Sequence, residues 1–355
     1  MSTIAHSHRF VVGVDTHARN HVYAIATATG EIIDTRSFPT SRAGMSRALA
    51  WVTRRTDGNH RILWVIEGAA SYGARLTATL IDDGHQVAEA PQIGRHLAHG
   101  TGKSDQLDAR RIAVSVLGVD NNQLRRPRQA DGTRGALRVL LAARESMTGE
   151  RTRHVNALVA LLRIQDLDVD ARRVPSTAQI RQISRWRARR DEVTVSVARD
   201  EAVRLATRIL EIDQQLADNQ RRLAELVSDS QAAPLLEMVG VGPVSAAVCL
   251  TIWSHPGRVR SEAAFASLAG VNPIPASSGN TVRHRLNRGG DRKLNRALHM
   301  IAISRMTHDQ ETRDYVAKRR SEGLTTKEIR RCVKRYLARR IYRILENQSE
   351  VPTAA

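Results

Sequence analysis

Phe10-Val11-Val12-Gly13-Val14-Asp15 is a short apolar run that ends in an acid. Ile62-Leu63-Trp64-Val65-Ile66-Glu67 has the same form. Unbroken runs of this length read as buried strands, each with its carboxylate at the C-terminal tip. Between them, Val22 to Thr27 reads as a second strand, and the Thr29-Gly30 turn leads into a third over Glu31 to Phe38, an antiparallel meander. Ser41 can cap a helix that runs to about Arg54. After Glu67 come a helix over Ser71 to Asp83, stopped by Gly84, and a fifth strand over Gln86 to Ala90. A last helix covers Asp105 to Leu117. The predicted order is β-β-β-α-β-α-β-α, an α/β domain over residues 1–120.

That last helix opens within Lys103-Ser104-Asp105-Gln106-Leu107-Asp108-Ala109-Arg110. Asp105 and Asp108, three apart, share one helix face. Two carboxylates about 4 Å apart repel by about 4 kcal/mol at an effective dielectric of ~20. A divalent metal ion, or basic neighbours such as Lys103, Arg110 and Arg111, must offset this. Alone, such a pair is an ordinary solvated helix face. In an open α/β sheet, however, sites form beyond the carboxyl ends of strands. If strands one and four are neighbours, Asp15 and Glu67 meet there and the late helix adds two more acids. Four converging carboxylates are what two Mg²⁺ ions ~3.5–4 Å apart require for phosphodiester chemistry.

Composition narrows the partner. The chain has 355 residues, 41% of them hydrophobic and only 3% aromatic. Its 55 Lys and Arg against 36 Asp and Glu give a formal charge of +19, which favours a polyanion. No apolar run approaches the ~18 residues needed to span a bilayer, and residues 1–9 lack a signal-peptide core. Two cysteines, Cys249 and Cys332, exclude a disulfide framework or zinc cluster. The expectation is a cytoplasmic nucleic-acid-binding protein with no membrane contact.

Residues 121–232 read as a linker followed by helices. Thr133 to Gln165 is a long helix with Arg138, Arg144, Arg151 and Arg153 on its basic side. A stretch broken at Pro175 follows, then a second long helix over Asp191 to Val227. Leu205, Ile209, Ile212, Leu216, Leu223 and Leu226 are spaced like a heptad stripe, with Asn219 in the remaining core slot. These helices either pair with each other or form an intermolecular coiled coil. From Pro234, an apolar helix runs into Gly240-Val241-Gly242 and a second helix starts at Pro243. This resembles a helix-hairpin-helix motif, whose glycines let backbone N–H groups approach a phosphate. It belongs to a mainly helical domain over 233–320. Ser277-Ser278-Gly279 then precedes a basic loop with Arg283, Arg285 and Arg288, and Arg292 and Lys293 open the next helix. A serine there is either a turn residue or a nucleophile served by arginines. Residues 321–355 form a basic helix and tail in which Arg330, Arg331, Lys334, Arg335, Arg339 and Arg340 either bind nucleic acid or are a solvated face.

Gly13-Val14-Asp15, Ile66-Glu67-Gly68 and Lys103 to Ala109, followed by Gly270 to Pro273, Ser278-Gly279 and Asn287 to Leu294, resemble the insertion sequence 110 transposases. The resemblance implies an RNase H/RuvC-like N-terminal domain with an Asp-Glu-Asp-Asp set (Asp15, Glu67, Asp105, Asp108) holding Mg²⁺. It implies that Ser278, or the adjacent Ser277, attacks DNA, and that the middle helices assemble a homo-oligomer, a dimer or tetramer. It also implies a structured guide RNA. Lys103, Gly240, Gly242, Arg283, Arg285, Arg288, Arg292 and Lys293 are the nucleic-acid contacts expected. A structure-specific nuclease using metal-activated water and a non-catalytic nucleic-acid scaffold are the alternatives.

Overall fold

The computed structural model describes residues 3–91, 105–129, 132–189, 191–276 and 284–348. The chain forms two compact units, Met1–Gln129 with His255–Arg260, and Ala130–Ser254 with Ser261–Ala355.

The first unit runs α1 (Ile4–Ser7), β1 (Phe10–Thr16), β2 (Asn20–Thr27), β3 (Ile32–Pro39), α2 (Arg42–Arg55), β4 (Ile62–Ile66), α3 (Ala74–Asp82), β5 (Gln86–Glu89) and α4 (Asp105–Val114). Its sheet has the order β3-β2-β1-β4-β5. β1, β2 and β3 are antiparallel, whereas β4 runs parallel to β1 and to β5. The two acid-tipped runs are therefore the central parallel pair. They are apolar throughout because both faces are covered. Val12, Val14, Trp64 and Ile66 pack against Met45 and Trp51 of α2 and Leu76 and Leu80 of α3. Val11, Leu63 and Val65 pack against Ile4 of α1 and Ile112 and Ala113 of α4. Each such burial stabilises by about 1.5–3 kcal/mol. The mixed α/β architecture is consistent with an RNase H/RuvC-like fold.

Two details depart from the sequence expectation. α1 is a single unpredicted turn. The helix after Glu67 begins at Ala74 because residues 68–73 form a turn instead, in which the Gly68 carbonyl accepts from the Ser71 and Gly73 amides at 2.8 and 3.1 Å.

The second unit holds α5 (Gly132–Ile164), α6 (Thr177–Ile183), α7 (Val193–Ser228), α8 (Pro243–Trp253), α9 (Glu262–Leu268), β6 (Ile274–Pro275), β7 (His284–Arg285), α10 (Arg292–His308), α11 (Gln310–Ser321) and α12 (Thr326–Asn347). α6 restarts the chain after Pro175 with a capping box from Ser176 and Gln179. α5 and α7 pack on each other within the chain. Leu205, Ile209, Ile212 and Leu223 of the heptad-like stripe are buried there, whereas Leu216 and Leu226 are half-buried. The Asn219 amide donates to the Leu140 carbonyl at 3.0 Å. Arg144 donates to the Leu216 carbonyl, and Arg151 pairs with Asp213. Two of the arginines expected on a basic face are thus cross-links between helices. Before the Gly-Val-Gly segment, residues Ala233–Glu237 form a 3₁₀ turn, shorter than the helix expected. Gly240 has φ +84° and packs close to Ile301 and Ser304 of α10, whereas Gly242 faces open space.

Candidate metal centre and serine loop

The acidic site is built by strand register and by one backbone contact. Val14 lies opposite Ile66, and the Glu67 amide donates to the Val14 carbonyl at 3.0 Å. Asp15 and Glu67 are therefore the next pair beyond the ladder. Side chains alternate along a strand, so Asp15 follows Val11 and Gly13, and Glu67 follows Leu63 and Val65, onto the face that α4 covers. The Thr16 hydroxyl donates to the Glu67 carbonyl at 2.8 Å and ties the two strand ends together.

α4 reaches this face because small residues meet. A Cβ on Gly13 would lie 2.3 Å from the Ala109 carbonyl oxygen and 2.3 Å from the Ala113 amide nitrogen. Gly13 thus lets the helix rest backbone to backbone on β1. Asp105 and Asp108 occupy the first turn of that helix, beside the strand tips.

The electrostatics register the convergence. Asp15 is only 7% exposed. Burial pushes its carboxyl above the ordinary carboxylate range, His17 opposes this, and Asp105 and Asp108 add to the rise. Glu67 is also raised, first by burial and then by Asp15 and Asp108. Asp15 and Glu67 are thus each raised by burial and by acids far away in sequence.

The basic residues expected to offset this repulsion behave differently from one another. Arg111 donates to Asp108 at 3.1 Å. Arg110 instead reaches Thr35 at 3.0 Å. Lys103 lies outside the described residues. The side chain paired with Asp15 is one the sequence reading missed. His17 Nε2 lies 3.1 Å from Asp15 and 3.6 Å from Asp105. The ligand atoms of Asp15, His17 and Asp105 all fall within 4.8 Å of one another. The Asp-x-His spacing was its one signal, since His17 directly follows the end of β1 at Thr16. Carboxylate oxygens with one imidazole suit a hard or borderline divalent cation. The donor set fits such an ion.

In the second unit, Ser277, Ser278 and Arg283 lie outside the described residues. The segments flanking them are fixed against each other. β6 pairs with β7 through Ile274 and Arg285. The Asn287 amide donates to the Asn272 side chain at 2.6 Å. A Cβ on Gly290 would lie 2.2 Å from the Gly270 amide nitrogen, so these two glycines permit a backbone crossing. The Asp291 carboxylate then caps α10, accepting from the Lys293 and Leu294 amides. Arg285, Arg288 and Arg292 are exposed at this edge. Lys293 is exposed too, but its ammonium pairs with Glu145 of α5 at 2.6 Å. Along α12, Lys334 is buried and donates to Asn295 at 2.6 Å. Arg339 and Arg343 together hold Glu262. The basic C-terminal helix is therefore partly a packing surface.

Comparison with known proteins identifies the family. A family model described as Transposase, of the DEDD IS110 type, matches residues 12–165. A second, described as Transposase IS116/IS110/IS902 family, matches residues 232–317. The chain is 26% identical to the insertion element IS116 uncharacterized 44.8 kDa protein of Streptomyces clavuligerus, covering 89% of each chain. It is 26% identical to the IS900 uncharacterized 42 kDa protein of Mycobacterium paratuberculosis, over 88% of this chain and 89% of that one. It is 28% identical to the IS110 uncharacterized 43.6 kDa protein of Streptomyces coelicolor, over 74% and 76%. Among the described residues no helix is long and apolar enough to cross a membrane. Two models of one family, matched in order over more than half the residues, make this chain a member of the IS110 family of insertion-element transposases, a DNA transposase by activity.

Proposed function

We infer that the protein cuts and rejoins DNA through a serine nucleophile assisted by a metal site. The observation that carries this reading is geometric: Asp15 and Glu67 are the next pair beyond the central parallel ladder, and the first turn of α4 brings Asp105 within ligand reach of Asp15 and His17. Such a cluster is costly without a cation and useful with one. Asp15, Glu67, Asp105 and Asp108 would hold Mg²⁺, with His17 beside them. The ion, when bound, supplies Lewis-acid polarisation of a phosphodiester oxygen. The chain's own residues do the rest. Asp15, held in a strand and mostly shielded from water, fixes one side of the site. Glu67, more exposed on the turn after β4, borders the side open to substrate.

Ser278, with Ser277 adjacent, is the proposed nucleophile. Its hydroxyl oxygen attacks a backbone phosphorus, its proton leaves to a base or water, and the deoxyribose oxygen departs. The protein–DNA phosphodiester conserves the bond energy for rejoining. Arg285, Arg288 and Arg292 stand on the segment after this loop and would stabilise the charge that develops. Gly242 and the start of α8 would approach a DNA phosphate without reading sequence. Family resemblance extends the reading to a structured guide RNA and to a homo-oligomer joined through α5 and α7.

The test is a suicide DNA substrate incubated with the full chain and Mg²⁺. Wild type is expected to form a covalent adduct that maps to Ser278 and disappears in Ser278→Ala. Strand cleavage retained in Ser278→Ala would replace the serine mechanism with a water-using nuclease. That second reading draws support from the location of all four acids within one unit.

A further inference from the structure

Aromatic side chains are scarce in this chain, at 3% of residues. Tyr23, Phe38, Trp51 and Trp64 are consumed by the core of the first unit. Tyr315 of α11 and Tyr336 of α12 are used differently. Their rings meet edge to face at 5.8 Å and 87°, and Tyr336 is 59% exposed. They line a cleft of about 610 Å³ between the end of α10, α11 and α12. Its floor is apolar, from the buried side chains of Val333 and Leu337.

The rim is cationic. Arg305, Arg339, Arg340 and Arg343 line the cleft, and Glu311 is the one acid among its described lining residues. Arg305 is buried and held by Asp309 at 2.7 Å. Arg339 and Arg343 are held by Glu262. These pairs fix the arginines in place before any ligand arrives, so little side-chain entropy remains to be lost. Arg340 is exposed at the edge. A flat apolar face against Tyr336 and an anion at Arg340 are the complement of this cleft.

A nucleobase with its phosphate has that form. Stacking on an aromatic ring suits any base, because each has a π-face. The base must be unpaired, since in a duplex its faces are covered by neighbours. We propose that the α10–α11–α12 cleft is a binding site for an unpaired nucleotide of single-stranded DNA or RNA, with the base on Tyr336 above Val333 and Leu337 and its phosphate at Arg340. Every residue that lines it belongs to the second unit.

The test uses the full chain and oligonucleotides carrying one 5-iodouracil, as DNA in one arm and RNA in the other. Irradiation is expected to cross-link the base to Tyr336 or Tyr315, read by peptide mass spectrometry. The arm that gives the adduct identifies the natural strand, and Asp15→Asn is expected to keep it. Tyr336→Ala is expected to weaken single-strand binding about 10-fold while leaving duplex affinity unchanged, and Tyr336→Phe to restore it. Arg340→Ala is expected to lower the salt slope for single strands by about 0.7. Adducts that map only elsewhere would overturn the proposal. So would a Tyr336→Ala variant that binds single strands like wild type, or one that loses single-strand and duplex affinity equally. Tyr336 is exposed, so unchanged thermal unfolding of the variant guards against misfolding.

Discussion

The two units handle charge in opposite ways. The first gathers acids and leaves their repulsion partly unrelieved. Asp15 and Glu67 are both pushed upward, and the nearest help for Asp15 is a histidine. The second unit is rich in arginines but ties many of them down. Arg151, Arg199, Arg208, Arg305 and Arg339 each hold a carboxylate within the unit. Unrelieved charge awaits a ligand, whereas paired charge builds a scaffold. Net charge alone therefore overstates the surface available to nucleic acid.

The largest expected effect breaks the first half of this contrast. Asp15→Asn should reduce DNA strand cleavage by at least ~10²-fold, measured on a labelled substrate. The same change should raise the melting temperature of metal-free protein, because it removes a buried charge that its neighbours resist. Mg²⁺ should stabilise wild type and not the variant. The pH dependence has a definite sign. A carboxyl raised by folding holds its proton more tightly in the native state. Its stabilising contribution is full at low pH and is lost as pH rises through the native value. Asp15→Asn should flatten that loss.

Gly13→Ala should come next. Its methyl group would meet backbone atoms of α4, so the helix must lift, at about 1–3 kcal/mol. Activity should fall along with stability in denaturant titration, since Asp105 and Asp108 move with the helix. Loss of stability without loss of activity would show that the α4 acids are dispensable.

The second unit gives smaller effects. Asn219→Ala should cost about 1 kcal/mol, because the helix-to-helix hydrogen bond to Leu140 is lost. If that bond stays inside one chain, the cost is independent of protein concentration; a concentration-dependent cost would move Asn219 to an interface between chains. Smallest is Glu262, whose carboxyl is held down to about 2 by Arg343 and Arg339. Its contribution is present above the ordinary glutamate value and is lost as pH falls toward 2. Glu262→Gln should therefore lower the melting temperature slightly at neutral pH and leave it unchanged near pH 2.

Much of the first unit was legible because burial on both faces writes a strand plainly. Phe10 to Asp15 and Ile62 to Glu67 read as a pair before any coordinates, and their acids came with them. Residues 11, 13 and 15, and residues 63, 65 and 67, follow from a period of two. Less could be read where a residue's meaning lies in a distant partner. Nothing local to Gly13 announces that Ala109 and Ala113 rest on it. His17 reads as a surface histidine until α4, lying against β1, brings Asp105 beside it. Arg151 and Lys334 look like a basic face because Asp213 and Asn295 are far off in sequence. The heptad-like stripe on α7 left open whether its partner was α5 or another chain, since periodicity gives the face and not what covers it.

The crossing of α4 over Gly13 has a consequence for how the site can move. Two elements touching through their main chains, with no side chains to slide between them, travel as one body. Asp105 and Asp108 are thereby coupled to the strand that carries Asp15. Glu67 belongs to the same body, because its amide donates to the Val14 carbonyl and its carbonyl accepts from the Thr16 hydroxyl. The strand tips and the helix start that carry the acids therefore keep one spacing.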